Sequence, residues 1–156
     1  MALTAAFLAD KSVLARLRVP RVAERVLPLL EEGIIATCAV IDLEILYSAR
    51  SLADYEEVRA ERRSLDSAPI TPEVMQTAID LQHTLATRGQ HRIPIPDLMI
   101  SAAARHAHLI VLHYDEDFAR LYEDGGAQHE WVVPKGSLDQ PSWLPTTETN
   151  DTISPG

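Results

Sequence analysis

The sequence predicts an α/β fold in which a mostly parallel sheet is flanked by helices. Short, continuously apolar runs such as residues 5–9 and 109–112 have strand length and no helical period. They alternate with longer segments of helical spacing, and that alternation is the signature of a parallel sheet. Proline or glycine punctuates most of the boundaries.

Residues 5–9 read as a first buried strand, followed by a helical stretch from Ser12 to Leu17. Pro20 opens the next helix, whose Val22, Val26, Leu27 and Leu30 recur every three or four residues. Pro28 predicts a kink or break in it, and Gly33 fits the position after its C-cap. Its apolar stripe of Val22, Val26, Leu29 and Leu30 reads as core rather than partner groove. A second strand is expected over 34–37 and a helix over 38–49. Residues 52–65 carry mixed charge and read as an exposed helix, its Asp54, Arg59, Glu61, Arg62 and Arg63 solvated. A short strand is expected at 68–70. Thr71 then caps a helix with Pro72 at its first position, running to about Thr87 and stopping at Gly89. Residues 91–96 form a loop with two prolines. An alanine-rich helix over 97–107, a strand over 109–113, a helix over 116–124 and a last strand over 130–133 complete the order.

A chain of 156 residues suits one domain. No apolar run approaches the roughly 20 residues that span a bilayer, and no signal-peptide pattern opens the chain, so a cytoplasmic protein without a membrane partner is expected. Cys38 is the only cysteine, which excludes an intrachain disulfide and cysteine-rich zinc sites. The net charge of -9 argues against broad, nonspecific nucleic-acid binding but not against a local basic patch.

Four carboxylates stand where a carboxylate is a poor or specialised choice. Asp10 ends the run Phe7-Leu8-Ala9, and Asp115 follows closely on Leu109-Ile110-Val111-Leu112. Asp97 opens an almost uncharged helix. Glu44 lies inside the apolar stretch 38–47. Asp10, Asp97 and Asp115 also fit N-caps, where a carboxylate satisfies free backbone N–H groups. Glu44 does not. At about 100° per residue it shares an arc with Val40, Ile41 and Tyr47, while Asp42 faces the other way, toward water. Its alternative is a buried ion pair to an arginine. A lone buried carboxylate is costly, and four of them together suit a divalent cation. Hard oxygen ligands select Mg²⁺ or Mn²⁺. Ser12 and Ser101 add hydroxyls near these acids, Ser101 four residues after Asp97 on the same helix face or bonded back to a carbonyl. Asp117 is a further candidate, expected to face solvent. Arg88 and Arg92 precede Asp97 and either contact a phosphodiester there or belong to a plain soluble loop.

Four stretches carry a wider likeness. They are Phe7-Leu8-Ala9-Asp10-Lys11-Ser12-Val13-Leu14, Ile41-Asp42-Leu43-Glu44-Ile45-Leu46-Tyr47-Ser48-Ala49, Ile95-Pro96-Asp97-Leu98-Met99-Ile100-Ser101-Ala102-Ala103-Ala104 and Val111-Leu112-His113-Tyr114-Asp115-Glu116-Asp117-Phe118. In order and spacing the chain resembles the PIN-domain family, and within it the VapC-type ribonuclease toxins. The resemblance implies a PIN-like three-layer fold over residues 1–135; residues 136–156, outside it and rich in Pro, Ser, Thr and Asp, read as a polar, flexible tail in which Trp143 packs back or meets a partner. It implies a catalytic set of Asp10, Glu44, Asp97 and Asp115, with Asp10, Asp97 and Asp115 on Mg²⁺ or Mn²⁺. It also implies an endoribonuclease that cleaves RNA, with tRNA or rRNA as candidates, to a 5′-phosphate and a 3′-hydroxyl. A homodimer and a VapB-type antitoxin are the implied partners. The sequence departs from the family at Lys11, where Thr is frequent, and at His113-Tyr114, where Thr-Arg is more usual. Lys11 either points away or competes with metal for the carboxylates. It keeps open a degenerate module that binds RNA or protein without cutting. A phosphatase with Asp10 as nucleophile is disfavoured because Ser12 stands where a second Asp is needed. A scaffold whose acids are only caps is the remaining alternative.

Overall fold

The computed structural model describes residues 4–139. Expectations for the tail beyond them, including Trp143, lie outside the described residues. Five strands, β1 (Phe7–Ala9), β2 (Ile35–Cys38), β3 (Asp66–Ala68), β4 (Ile110–His113) and β5 (His129–Trp131), form one sheet in the order β3-β2-β1-β4-β5. Every pairing is parallel, with Leu8 opposite Ala36 on one side and Val111 on the other.

The central strands alternate between two cores, which is why they read as unbroken apolar runs. Leu8, Ala36, Cys38 and Val111 point to the face covered by α3 (Ala39–Tyr47), α5 (Pro72–Ala86), α6 (Ile95–Ala107) and α7 (Glu116–Glu123). Ala9, Ile35 and Leu112 point to the other face, where α1 (Lys11–Leu14) supplies Val13 and α2 (Pro20–Glu31) supplies Val22 and Val26. The α2 stripe is therefore core, with Leu29 and Leu30 packed at its margin. α4 (Leu52–Arg63) lies outside with no buried residue.

Several boundaries differ from the sequence expectation. Pro28 does not end α2, which continues to Glu31 with Pro28 on its exposed face. β3 precedes Pro69 rather than including it, since proline cannot donate to a ladder. β5 begins at His129 and ends before Val132. α6 starts at Ile95, with Pro96 tolerated in its first turn. That earlier start removes Asp97 from the cap position and turns its side chain inward.

The ends of α2 and α7 close with paired backbone bonds of the Schellman type. After α2, Gly33 takes φ +69°, its N–H bonds Leu30 O at 3.1 Å, and the Ile34 N–H bonds Leu29 O at 3.2 Å. After α7 the same pattern places Gly126 N–H on Leu121 O at 2.8 Å. A Cβ on Gly126 would stand 2.7 Å from both that oxygen and Ser101 Oγ. Gly126→Ala is therefore expected to lower stability by about 1–3 kcal/mol through overpacking. Urea unfolding should show this as a lower midpoint at unchanged slope.

Candidate active site

In the strand order β3-β2-β1-β4-β5 the connections run in opposite directions from β1 and β4, which opens a crevice at their carboxyl ends. Asp10 and Asp115 are the residues on that rim. Each caps the helix that follows: Asp10 Oδ2 accepts the Ser12 N–H at 3.0 Å, and Asp115 Oδ1 accepts the Asp117 N–H at 3.0 Å. The cap reading of these two residues is thus correct as geometry. It leaves Asp10 Oδ1 buried with no hydrogen-bond partner, so capping alone does not satisfy this side chain.

Asp97 enters from the first turn of α6 and is buried. Its oxygens approach those of Asp115 and Asp117, with one ligand atom from each lying within 4.8 Å of the others. Asp117 therefore does not face solvent as expected. A helical Cα–Cβ bond tilts toward the N-terminus, so the second residue of α7 sends its carboxylate back over the rim. The α7 cap, not the hydrophobic pattern, brings Asp117 into the cluster.

Burial, reinforced by the charges of Asp115, Asp10, Asp117 and Glu44, pushes the Asp97 pKa up to about 8. Burial also raises Asp10, against the opposing hydrogen bonds from Ser12, and raises Asp117. A divalent cation would relieve the same repulsion. The unpartnered Asp10 Oδ1 and Glu44 Oε1, together with three converging carboxylates, make a hard-oxygen environment that suits a divalent cation.

Glu44 is half-buried on α3, and its Oε2 stands 2.7 Å from Lys11 Nζ. Lys11 thus points into the site, and the ion pair of Glu44 is neither with an arginine nor buried as anticipated, because the Lys11 side chain is 56% exposed. Asp42 was expected in water. It instead accepts from Thr37 Oγ1 at 2.7 Å and Arg62 Nε at 2.8 Å, which ties α4 to β2 and removes Arg62 from the solvated face of α4. Tyr47, expected on the arc of Glu44, is 92% exposed.

Two polar residues hold the rim in place. Ser12 donates its N–H to Asp10 and its Oγ accepts the Tyr114 N–H at 2.9 Å, which links the two strand ends. Buried His113 accepts the Asp115 N–H on Nδ1 at 3.0 Å, so its proton sits on Nε2, 2.9 Å from His129 Nδ1. Burial first and His129 second lower the His113 pKa to about 3, and the ring stays neutral. Ser101 is buried, and its Oγ accepts the Ala127 N–H at 2.9 Å. It fixes the α7–β5 connection rather than bonding back along α6. Arg88 is engaged in an ion pair with Asp124, while Arg92 is exposed. A cleft of about 490 Å³ opens beside the acids, lined by Lys11, Ser12, Arg16, Glu44, Tyr114 and Asp115.

The PIN domain family model matches residues 7–124, a span holding all five acids. The chain belongs to the PIN-domain family. Among its relatives in that family is "Ribonuclease VapC51" of Mycobacterium tuberculosis (strain ATCC 25618 / H37Rv), 38% identical over 133 residues that cover 85% of this chain and 97% of that one. "Ribonuclease VapC21" of the same strain is 39% identical over 137 residues, covering 86% and 99%. The PIN fold also superposes on a chain of the DNA-bound VapBC structure from Salmonella typhimurium, with a TM-score of 0.66 at 19% identity, covering 83% of this chain and 100% of that one. A chain of VapBC-5 from M. tuberculosis matches with a TM-score of 0.54 at 27% identity, covering 81% and 96%. Among the described residues no helix is long and apolar enough to cross a membrane.

The raised Asp97 pKa fixes the sign of a pH effect. The folded state holds a proton that the unfolded chain releases near its ordinary value, about 3.9. Without divalent metal, stability should fall as pH rises from about 4 to 8, no more steeply than about 1.4 kcal/mol per pH unit for this one group. Thermal melts should show the decline, Asp97→Asn should flatten it, and Mg²⁺ at pH 8 should reverse it in wild type only.

Proposed function

We propose that this protein is a divalent-metal-dependent endoribonuclease acting as the toxin of a VapBC-type toxin–antitoxin pair. The observation that carries the reading is the convergence of Asp97, Asp115 and Asp117 at the β1–β4 crevice, with the partnerless Asp10 Oδ1 beside them. Relatives that bear the name ribonuclease share that family and most of the chain's length. Asp97, Asp115 and Asp117 would hold Mg²⁺ or Mn²⁺, with Asp10 completing the set. Such a cation neutralises a phosphate and acidifies water. Asp115, or Asp97 once the cation has displaced its proton, would orient the attacking water by accepting its O–H. Ser12 and the neutral His113 keep Asp10 and Asp115 at fixed positions while this happens. Hydrolysis leaves a 5′-phosphate and a 3′-hydroxyl, and tRNA or rRNA is the candidate substrate.

Glu44 acts through Lys11, whose ammonium offsets the charge of one of the five acids. The alternative, a module that binds RNA without cutting, draws on that same pair, because Lys11 already neutralises one of the site's carboxylates. For partners, we propose a VapB-type antitoxin that sends a cationic side chain toward the acids, and a homodimer. The apolar residues of α3 and α4 support the dimer: Leu43, Tyr47 and Leu52 are 66%, 92% and 74% exposed. Tyr47→Glu should convert the dimer to monomer in analytical ultracentrifugation while the far-UV CD spectrum stays unchanged.

Mapping of RNA 5′ ends in cells tests the activity. Induction of wild type should create new 5′-phosphate ends at discrete sites, and Asp97→Asn, equally well expressed, should create none. Identical end maps for the two would establish the binding module instead.

A further inference from the structure

Arg16 is the one arginine among the described residues that is both half-buried and outside every ion pair. The other half-buried arginine, Arg62, is held by Asp42. Arg16 lines the cleft that Glu44 and Asp115 also line. Its Nη1 donates to Ser12 O at 2.8 Å, and its guanidinium lies 4.9 Å from the centre of the Tyr114 ring. Tyr114 is itself fixed: its hydroxyl accepts the Leu138 N–H at 3.1 Å, and its ring stands edge-on to Trp131 at 5.5 Å. The guanidinium is thus pre-oriented on a carbonyl and a ring, neither of which offsets its charge. Five N–H donors are available and one is used here, which leaves a fork of the kind that grips phosphate.

Ser12 sets the placement. Its carbonyl anchors Arg16, its N–H holds Asp10, and its Oγ holds the backbone of Tyr114 next to Asp115. One residue therefore fixes an uncommitted cation at a constant offset from the acids. A ligand with a single anion has no use for that spacing, whereas a backbone with repeated phosphates does. A protein carboxylate entering this cleft would meet Glu44 and Asp115 without a repeating charge to exploit. Lys11, on the same wall, is already committed to Glu44.

We propose that Arg16 binds a non-bridging phosphate oxygen of the RNA strand beside the scissile phosphate; the assignment rests on the ribonuclease reading above. Arg16 covers one face of the Tyr114 ring, so no base stacks on that face and the subsite is assigned to the backbone. Its contribution is to affinity and register, independent of sequence.

The test uses the full chain carrying Asp97→Asn, which prevents turnover, and a short fluorescein-labelled oligouridylate. Binding is followed by fluorescence anisotropy across a KCl series. Adding Arg16→Gln should weaken binding about tenfold, the worth of a charged hydrogen bond. It should also make the plot of log K against log salt shallower by about 0.7, one phosphate contact on a single strand. Arg16→Lys should recover the salt slope and only part of the affinity, a pattern that loss of packing cannot give, with thermal melts reporting the fold of each variant. An Arg16→Gln protein that keeps both affinity and slope overturns the proposal. A folded parent that binds no oligouridylate overturns the ribonuclease reading as well, so the two failures are separable.

Discussion

Ionised carboxylates repel one another at low dielectric, and the folding of this chain forces five of them together. Asp10 and Asp115 are delivered by the ends of adjacent parallel strands, Asp97 and Asp117 by the first turns of α6 and α7, and Glu44 by the middle of α3. Nothing local can relax this crowding, because each acid is fixed by an element that also packs the core. The protein absorbs part of it by keeping a proton on Asp97 and part by setting Lys11 against Glu44. What remains is an electrostatic demand for a divalent cation.

The surroundings of the site follow from the need to hold those charges still. Ser12 bridges the β1 and β4 ends, and His113 anchors the Asp115 backbone from beneath while staying uncharged. Behind them, Ser101 and Gly126 lock the turn between α7 and β5 at a contact too close for any side chain. The Asp42–Thr37–Arg62 network ties α4 to the same sheet. These are polar contacts of modest individual strength. Their common effect is to prevent the rim from spreading to relieve the repulsion.

The strands were legible because a central parallel strand is buried on both faces, so Leu8-Ala9 or Val111-Leu112 cannot be mistaken for an amphipathic element. The acids were legible where burial made them anomalous. Glu44 on an apolar arc and Asp97 in an uncharged helix announce themselves in one dimension. Asp117 did not, because its neighbours Glu116 and Arg120 make it look like ordinary helix surface, and only the Asp115 cap turns it inward. Arg16 was equally silent, since nothing in Leu14-Ala15-Arg16-Leu17 reveals a tyrosine about a hundred residues away beneath its guanidinium. The same limit hid the Asp42–Arg62 pair, which joins two helices. Ser101 lay on the expected face, yet its partner came from the far side of α7. Pattern and propensity reveal which residues are buried. They do not reveal which distant residues meet.

Anomalous diffraction from crystals of the protein soaked in Mn²⁺ tests the metal demand of the acid cluster directly. A strong anomalous peak among the carboxylate oxygens of Asp97, Asp115 and Asp117, lost in Asp97→Asn crystals, is the result expected from the crowding of those acids. A map at saturating Mn²⁺ with no peak there, the three carboxylates still converged as in the metal-free protein, would contradict the account.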